Sequence, residues 1–214
     1  MLTLYTYWRS SAAYRVRIAL ALKAVDVQQI PVHLLKDGGQ QRAEPYKALN
    51  PAQLVPTFQH DDLTLNQSLA IIEYLDAVYP EPKLLPAEPA AAAVVRALAL
   101  DIACDIHPLN NLRVLQYLTG TLGVTEAQKS EWILHWLRQG FRALEQRLEL
   151  TAGQYCVGDN ISLADLCLVP QVYNALRFSL DLTPYPTIDR VYQHCMTHSA
   201  FVAAAPEQQS DAQA

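Results

Sequence analysis

The chain reads as a mixed α/β segment of about eighty residues followed by an all-helical segment. Three observations predict this. Strand-like and helix-like runs alternate up to Tyr79. A proline-rich stretch, Pro80-Glu81-Pro82-Lys83-Leu84-Leu85-Pro86, then interrupts the pattern. Every run beyond it carries helical periodicity.

Leu2–Tyr7 alternates apolar and polar residues and predicts a first strand. Two serines then open a helical pattern, Ser11–Lys23, with Val16, Ile18, Ala19, Leu20 and Leu22 as its apolar positions. Strand-like runs follow at Gln28–Leu34, Pro56–Gln59 and Leu63–Leu65, the last two joined by a turn at Asp61-Asp62. Helices are predicted at about Gln41–Leu49 and at Ser68–Tyr79. The order β-α-β-α-β-β-α suits a small sheet with helices on its faces, a thioredoxin-like unit over residues 1–82. Residues 87–214 form the helical unit. Ala90–Leu118 is one long apolar pattern, expected to kink at Pro108. Glu126–Leu150 is amphipathic, with Trp132, Trp136, Phe141, Leu144 and Leu148 on one face. Ser162-Leu163-Ala164-Asp165 is a capping-box variant that starts a helix running to about Ser179. Pro184–Ser199 gives a last helix, and Pro206–Ala214 reads as a disordered tail.

Composition narrows the function classes. The 214 residues are 51% hydrophobic and 17% charged, ordinary globular values. A net charge of −5 and a pI near 5.6 argue against a general nucleic-acid surface. The longest apolar stretch, Ala90 to Cys104, contains Arg96 and Asp101, so no membrane span is expected. Without a signal-like N-terminus, the expected location is the cytoplasm. Cys104, Cys156, Cys167 and Cys195 lack metal-ligand spacing and read as reduced, mostly buried thiols, so no metal is expected.

Where a strand ends and a helix begins, free backbone N–H groups point outward, and a hydroxyl there either caps the helix or donates to a bound anion. Ser10 and Ser11 after the first strand, and Gln67-Ser68 before the third helix, occupy such junctions. Val55-Pro56 opens the third strand. Taken singly, each reads equally well as local structure, a cap or an ordinary X-Pro bond.

The combination resembles one family. RSSAAYRVRIALALK, LLKDGGQQ, ALNPAQLVP, NQSLAIIEYLD, DIHPLNNLRVLQYL, YCVGDNISLADLCLVPQVYNALRF and DLTPYPTI, spanning nearly the whole chain, look like a zeta-class glutathione transferase. The resemblance implies that family's two-part architecture, glutathione as cofactor, and a homodimer. It implies glutathione-dependent cis–trans isomerisation of a maleyl dicarboxylate in aromatic catabolism, with maleylacetoacetate or maleylpyruvate as substrate. A conjugating or dehalogenating transferase and a non-catalytic binding protein are the competing readings. One departure stands out: the family's Ser-Ser-Cys motif here ends in Ala12, so the reactive family cysteine is absent.

The resemblance also assigns roles. Ser10, with Ser11 as neighbour, would hydrogen-bond the glutathione sulfur beside Ala12. Val55, through a cis bond to Pro56, would pair with the cysteinyl backbone. Gln67 and Ser68 would receive the γ-glutamyl carboxylate, with Gln41 and Lys36 as polar loop residues in reach of the glycine end. His107 and Asn111, four apart on an expected helix, would share a face toward glutathione, although His107 reads equally as a core residue. Arg9, Arg113 and Arg177 would hold the substrate's carboxylates, because guanidinium binds carboxylate through paired hydrogen bonds. Asp165 reads as structural.

Overall fold

The computed structural model describes residues 1–212. They divide into two compact units. One comprises Met1–Leu84 together with the residues from Thr197 onward, and the other Leu85–Met196.

The first unit is built on a four-stranded sheet of order β2-β1-β3-β4. Strand β1 (Leu2–Thr6) runs parallel to β2 (Gln28–Pro31) and antiparallel to β3 (Thr57–His60). β3 pairs antiparallel with β4 (Leu63–Asn66). The crossover between the parallel pair is α1 (Ser11–Leu22), and α3 (Ser68–Val78) follows β4 and packs on α1. Leu4, Phe58, Val16, Ile18, Ile71 and Leu75 are fully buried between sheet and helices. Each such side chain contributes about 1.5–3 kcal/mol on leaving water.

The region between β2 and β3 is more broken than its periodicity predicts. Instead of one helix from Gln41, a 3-10 turn (Gln40–Arg42) precedes the short helix α2 (Glu44–Leu49). Extended backbone at Ala43, φ −69° and ψ 143°, separates them, as expected for the N-cap of a helix that begins where Pro45 falls in the first turn and its missing N–H costs nothing.

The expected disordered tail is instead structured as far as the description reaches. Helix α9 (Ser199–Ala203) packs against α1, and a 3-10 turn follows at Pro206–Gln208. Two buried side chains of α1 hold this stretch: Tyr14 donates to the Phe201 carbonyl (2.9 Å) and Arg17 Nε to that of Ala204 (3.1 Å). The stretch thus belongs with the sheet unit, because buried polar groups of α1 take its carbonyls as their acceptors. Residues 213 and 214 lie outside the described residues.

The second unit is helical: α4 (Pro89–Leu100), α5 (Leu112–Gly120), α6 (Glu126–Thr151), α7 (Leu163–Arg177) and α8 (Pro186–Cys195). The predicted single helix through Pro108 does not form. After α4 the chain takes a π-helical turn (Asp101–Ile106) and then a 3-10 turn (His107–Asn110) before α5 begins. Pro108 can offer no N–H to an α-helical ladder, and the wider and tighter turns absorb that loss. In α6 the fully buried positions are Ile133, Leu137, Phe141, Leu144 and Leu148. Trp132 and Trp136 sit half-buried beside that stripe, their rings 5.7 Å apart, with Trp132 Nε1 donating to the Leu109 carbonyl (2.9 Å). Helix α7 is buried along most of its length and carries Pro170 inside it. No helix among the described residues is long and apolar enough to cross a membrane.

Candidate active site

In the sheet unit the site residues stand at three chain junctions. The first follows β1. Ser10 is the N-cap of α1, with its Oγ accepting from the Ala13 N–H (3.2 Å), and Ser11 is the first helical residue, 6% exposed. Accepting through a lone pair leaves the Ser10 O–H proton available to donate elsewhere. The turn is closed by the Ser10 N–H donating to the Tyr7 carbonyl (2.9 Å). It is held from below by Arg17, whose guanidinium donates to Thr6 Oγ1 (3.0 Å) and to the Trp8 carbonyl (3.0 Å). Arg9 lies over the Trp8 ring, 4.7 Å from its centroid, and its Nη2 donates to Tyr7 Oη (3.4 Å).

The second junction is the loop before β3. The Val55-Pro56 bond is cis. Tyr46 Oη and Asn50 Nδ2 both donate to the Leu54 carbonyl, at 2.5 and 2.8 Å, fixing the residue before Val55. Burial pushes the Tyr46 phenol above its usual range, so it remains a donor at neutral pH. Val55 packs with Tyr7, Val32 and Tyr46 in one cluster, which ties this loop to the end of β1. Among the described residues its N–H and C=O enter none of the loop hydrogen bonds that hold its neighbours. They remain available for an extended peptide to pair with.

The third junction is the start of α3. Gln67 is the N-cap in a left-handed conformation (φ 68°), and no side chain caps the helix. Ser68, the first helical residue, is buried, and its Oγ accepts from Arg15 Nη1 (3.2 Å). Uncapped N–H groups, a hydroxyl and an adjacent guanidinium make this helix end receptive to a carboxylate. Arg15 thereby links the helix that begins with the two serines to the start of α3. Gln41 is 6% exposed and folded back, with its Nε2 donating to the Leu34 carbonyl (3.3 Å).

In the helical unit the motif HPLNNLR is divided between two kinds of turn. His107 begins the 3-10 turn, and Asn111 is the N-cap of α5, its Oδ1 accepting from the Arg113 N–H (3.2 Å). The two residues therefore do not share a helical face, because the chain leaves helical geometry between them. Arg113 is exposed on the first turn of α5, and Arg177 ends α7 with its guanidinium carbon 5.4 Å from the Phe178 ring centroid.

Three residues in these segments escape sequence reasoning. Arg15 looks like one more polar helical residue, yet it is 2% exposed. Trp8 and Asn110 have buried polar atoms without a protein partner among the described residues: Trp8 Nε1, and both ends of the Asn110 carboxamide. Unlike a charge reversal or a glycine, burial of an ordinary polar residue leaves no mark in the sequence.

Asp165 is structural, as its box pattern implies. Its carboxylate, fully buried, accepts from the N–H groups of Cys156 (2.7 Å) and Ser162 (2.8 Å) and from Ser162 Oγ (2.8 Å). Nearby, burial raises the thiols of Cys156 and Cys195 far above the usual range, so neither is a nucleophile at neutral pH. With Ala12 in place of cysteine, reactive sulfur at the serine turn must come from a ligand.

The sheet order, with helix starts after β1 and β4, gives a thioredoxin-like unit followed in the chain by an all-helical one. This chain belongs to the glutathione S-transferase family. Residues 1–77 match the family's N-terminal domain and residues 112–199 its C-terminal domain. The chain is 55% identical to a probable maleylacetoacetate isomerase of Vibrio cholerae, over 99% of this chain and 98% of that protein. A bacterial zeta-class maleylpyruvate isomerase of known structure superposes with a TM-score of 0.95, at 46% identity, covering 99% of this chain and all of that one. The maleylacetoacetate isomerase of Anaeromyxobacter dehalogenans, solved with glutathione in its active site, gives a TM-score of 0.89 at 41% identity, covering 100% of this chain and 98% of that one.

Proposed function

We propose that this chain is a glutathione-dependent cis–trans isomerase that converts a maleyl dicarboxylate to its fumaryl isomer, with maleylacetoacetate as the leading substrate. The observation that carries the reading is the turn from β1 into α1, where Ser10 caps the helix and keeps its hydroxyl proton free to donate. The relatives of high identity named as isomerases of maleyl compounds support it.

The residues present suit the tripeptide. Ser68 and the uncapped start of α3 would hold the γ-glutamyl carboxylate, with Gln67 beside them. The free N–H and C=O of Val55, next to Pro56, would pair with the cysteinyl backbone, and Gln41 would line the glycine end. Bound, glutathione supplies a sulfur nucleophile that adds reversibly to the cis double bond and makes it a rotatable single bond. The Ser10 hydroxyl and the N-terminus of α1, with Ser11 adjacent, stabilise negative charge on that sulfur. A free thiol ionises near about 8.5, and lowering this by about two units requires roughly 2.7 kcal/mol, which one charge-assisted hydrogen bond plus a helix dipole can supply. Arg9, Arg113 and Arg177 hold the substrate carboxylates and offset the charge that develops on the substrate. His107 and Asn111 would be glutathione contacts, as the resemblance implies. The assembly would be a cytoplasmic homodimer acting without metal.

Thiol mass balance tests the reading. An isomerase returns every glutathione at the end of turnover, whereas a conjugating or dehalogenating transferase consumes one per product, and a binding protein gives no product. Conversion of maleylacetoacetate with the glutathione pool intact is the expected result. Stoichiometric loss of thiol overturns it. Running maleylpyruvate in parallel ranks the two substrates by kcat/KM.

A further inference from the structure

The geometry points to Arg15 as a positioning residue that acts through the Ser68 hydroxyl to set recognition of a ligand carboxylate at the start of α3. The inference rests on the placement of the γ-glutamyl carboxylate proposed above and deepens it.

Arg15 lies in the second turn of α1, on the helix that the two serines begin, yet its side chain crosses to the opening residue of α3. Its Nη1 donates to Ser68 Oγ at 3.2 Å. A hydroxyl has one proton and two lone pairs. With a lone pair engaged by the guanidinium, the Ser68 proton is left to point away from Arg15, outward from the helix start. Toward a ligand beyond the helix start, Ser68 then presents its proton as a donor.

The charge matters as much as the direction. Arg15 is 2% exposed and Ser68 6%, so little water lies between them to screen the guanidinium. A full positive charge therefore stands directly behind the partial positive charge of the α3 N-terminus. No side chain caps that helix, so its first N–H groups are left for an anion to accept from. Hydroxyl, helix end and guanidinium favour the same kind of ligand group, a carboxylate. The guanidinium does not touch the ligand, so its effect is on affinity and selectivity and not on chemistry at sulfur.

Calorimetric titration of the full chain with two ligands tests this. One is glutathione. The other is γ-aminobutyryl-cysteinyl-glycine, which keeps the amine and lacks only the α-carboxylate. The native protein is expected to prefer glutathione by about tenfold to a hundredfold, the worth of one hydrogen-bonded charge. Arg15→Gln, which retains a donor toward Ser68 without the charge, should cut that preference to within about threefold. Arg15→Lys should retain most of it. At saturating glutathione, kcat should stay within about threefold in both variants.

Equal weakening of both ligands by Arg15→Gln would mean a purely structural role and overturns the inference, as does an unchanged preference. Should Arg15→Gln not fold, Ser68→Ala decides instead: loss of most of the preference for glutathione is expected if the arginine acts through the hydroxyl, and an unchanged preference overturns the inference. If the native chain binds both ligands equally, the carboxylate is not held at Ser68, and the reading beneath this inference fails with it.

Discussion

Ile106 occupies the space that any side chain at residue 140 would need. A Cβ added to Gly140 would meet Ile106 Cγ1 at 2.4 Å. Gly140 lies inside α6, where alanine would favour the helix by about 1 kcal/mol. Ile106 ends the π-helical turn that replaces regular helix before His107. Overpacking costs about 1–3 kcal/mol, and the clash involves Cγ1, close to the backbone, where the side chain has little room to give. Gly140→Ala should therefore lower stability despite its better helix propensity. Urea unfolding measures this, and a rise in the midpoint would refute it.

Asp165 supports a second stability prediction. Asp165→Ala leaves the Cys156 and Ser162 N–H groups without their acceptor in a fully buried setting. Each orphaned donor costs about 1–3 kcal/mol, so a loss of about 3 kcal/mol or more is expected. Thermal melting should fall sharply, while any protein that remains folded keeps its affinity for glutathione.

Ser10→Ala should lower turnover far more than glutathione affinity, because other junctions hold the tripeptide. Ultraviolet titration of the bound thiol gives the direct measurement. Its pKa in the native protein is expected below the free value of about 8.5 and should return toward it in the variant. If pKa and rate do not move, even in the Ser10→Ala, Ser11→Ala double variant, neither hydroxyl acts on sulfur.

For the arginines, Arg177→Met should raise KM for the maleyl substrate and reduce kcat/KM by about 10- to 150-fold, with glutathione binding nearly intact. Arg9→Met should behave similarly and also disturb the thiol, since it adjoins Ser10. Arg113→Met completes the series. Solvated surface arginines would contribute only a few tenths of a kcal/mol. A kinetic series in which none of the three changes kcat/KM by more than about twofold removes the dicarboxylate clamp and favours an uncharged substrate.

Sedimentation equilibrium at micromolar concentration should report a dimer, twice the 23.9 kDa of one chain. A mass near that of a single chain would contradict the homodimer.

Much of the fold was legible in the sequence, since strand alternation and helix periodicity follow from which face each residue buries. Strands at Leu2, Pro56 and Leu63 and helices from Ser11, Ser68 and Ser162 begin within a residue or so of expectation. The misreadings have two causes. Around Pro108 and Pro45 the apolar pattern continues while the backbone cannot, so periodicity alone predicts helix through a break. Residues 206–212 look like a polar tail because their polar side chains read as solvated, whereas Gln209 Nε2 donates to the Ala203 and Ala205 carbonyls and Asp211 accepts from the distant Trp8 N–H. In the site, the hydroxyls at helix starts were readable from cap positions. Arg15 was not, because its importance comes from a partner 53 residues away.

The bonds from α1 to the chain near residue 200 have a consequence for synthesis. Ribosomes deliver β1 to β4 within the first seventy residues, but Phe201, Ala204 and Asp211 come more than a hundred residues later. Asp211 accepts from the Trp8 N–H (3.0 Å), in the turn that leads to Ser10. At roughly 5–20 residues per second, Tyr14, Arg17 and Trp8 wait about 10–40 s for their acceptors. Over that interval the nascent sheet unit carries an open polar seam along α1. The serine turn acquires its full set of supports only as translation nears residue 211, so a chain truncated before α9 would carry every proposed glutathione contact on an unfinished scaffold.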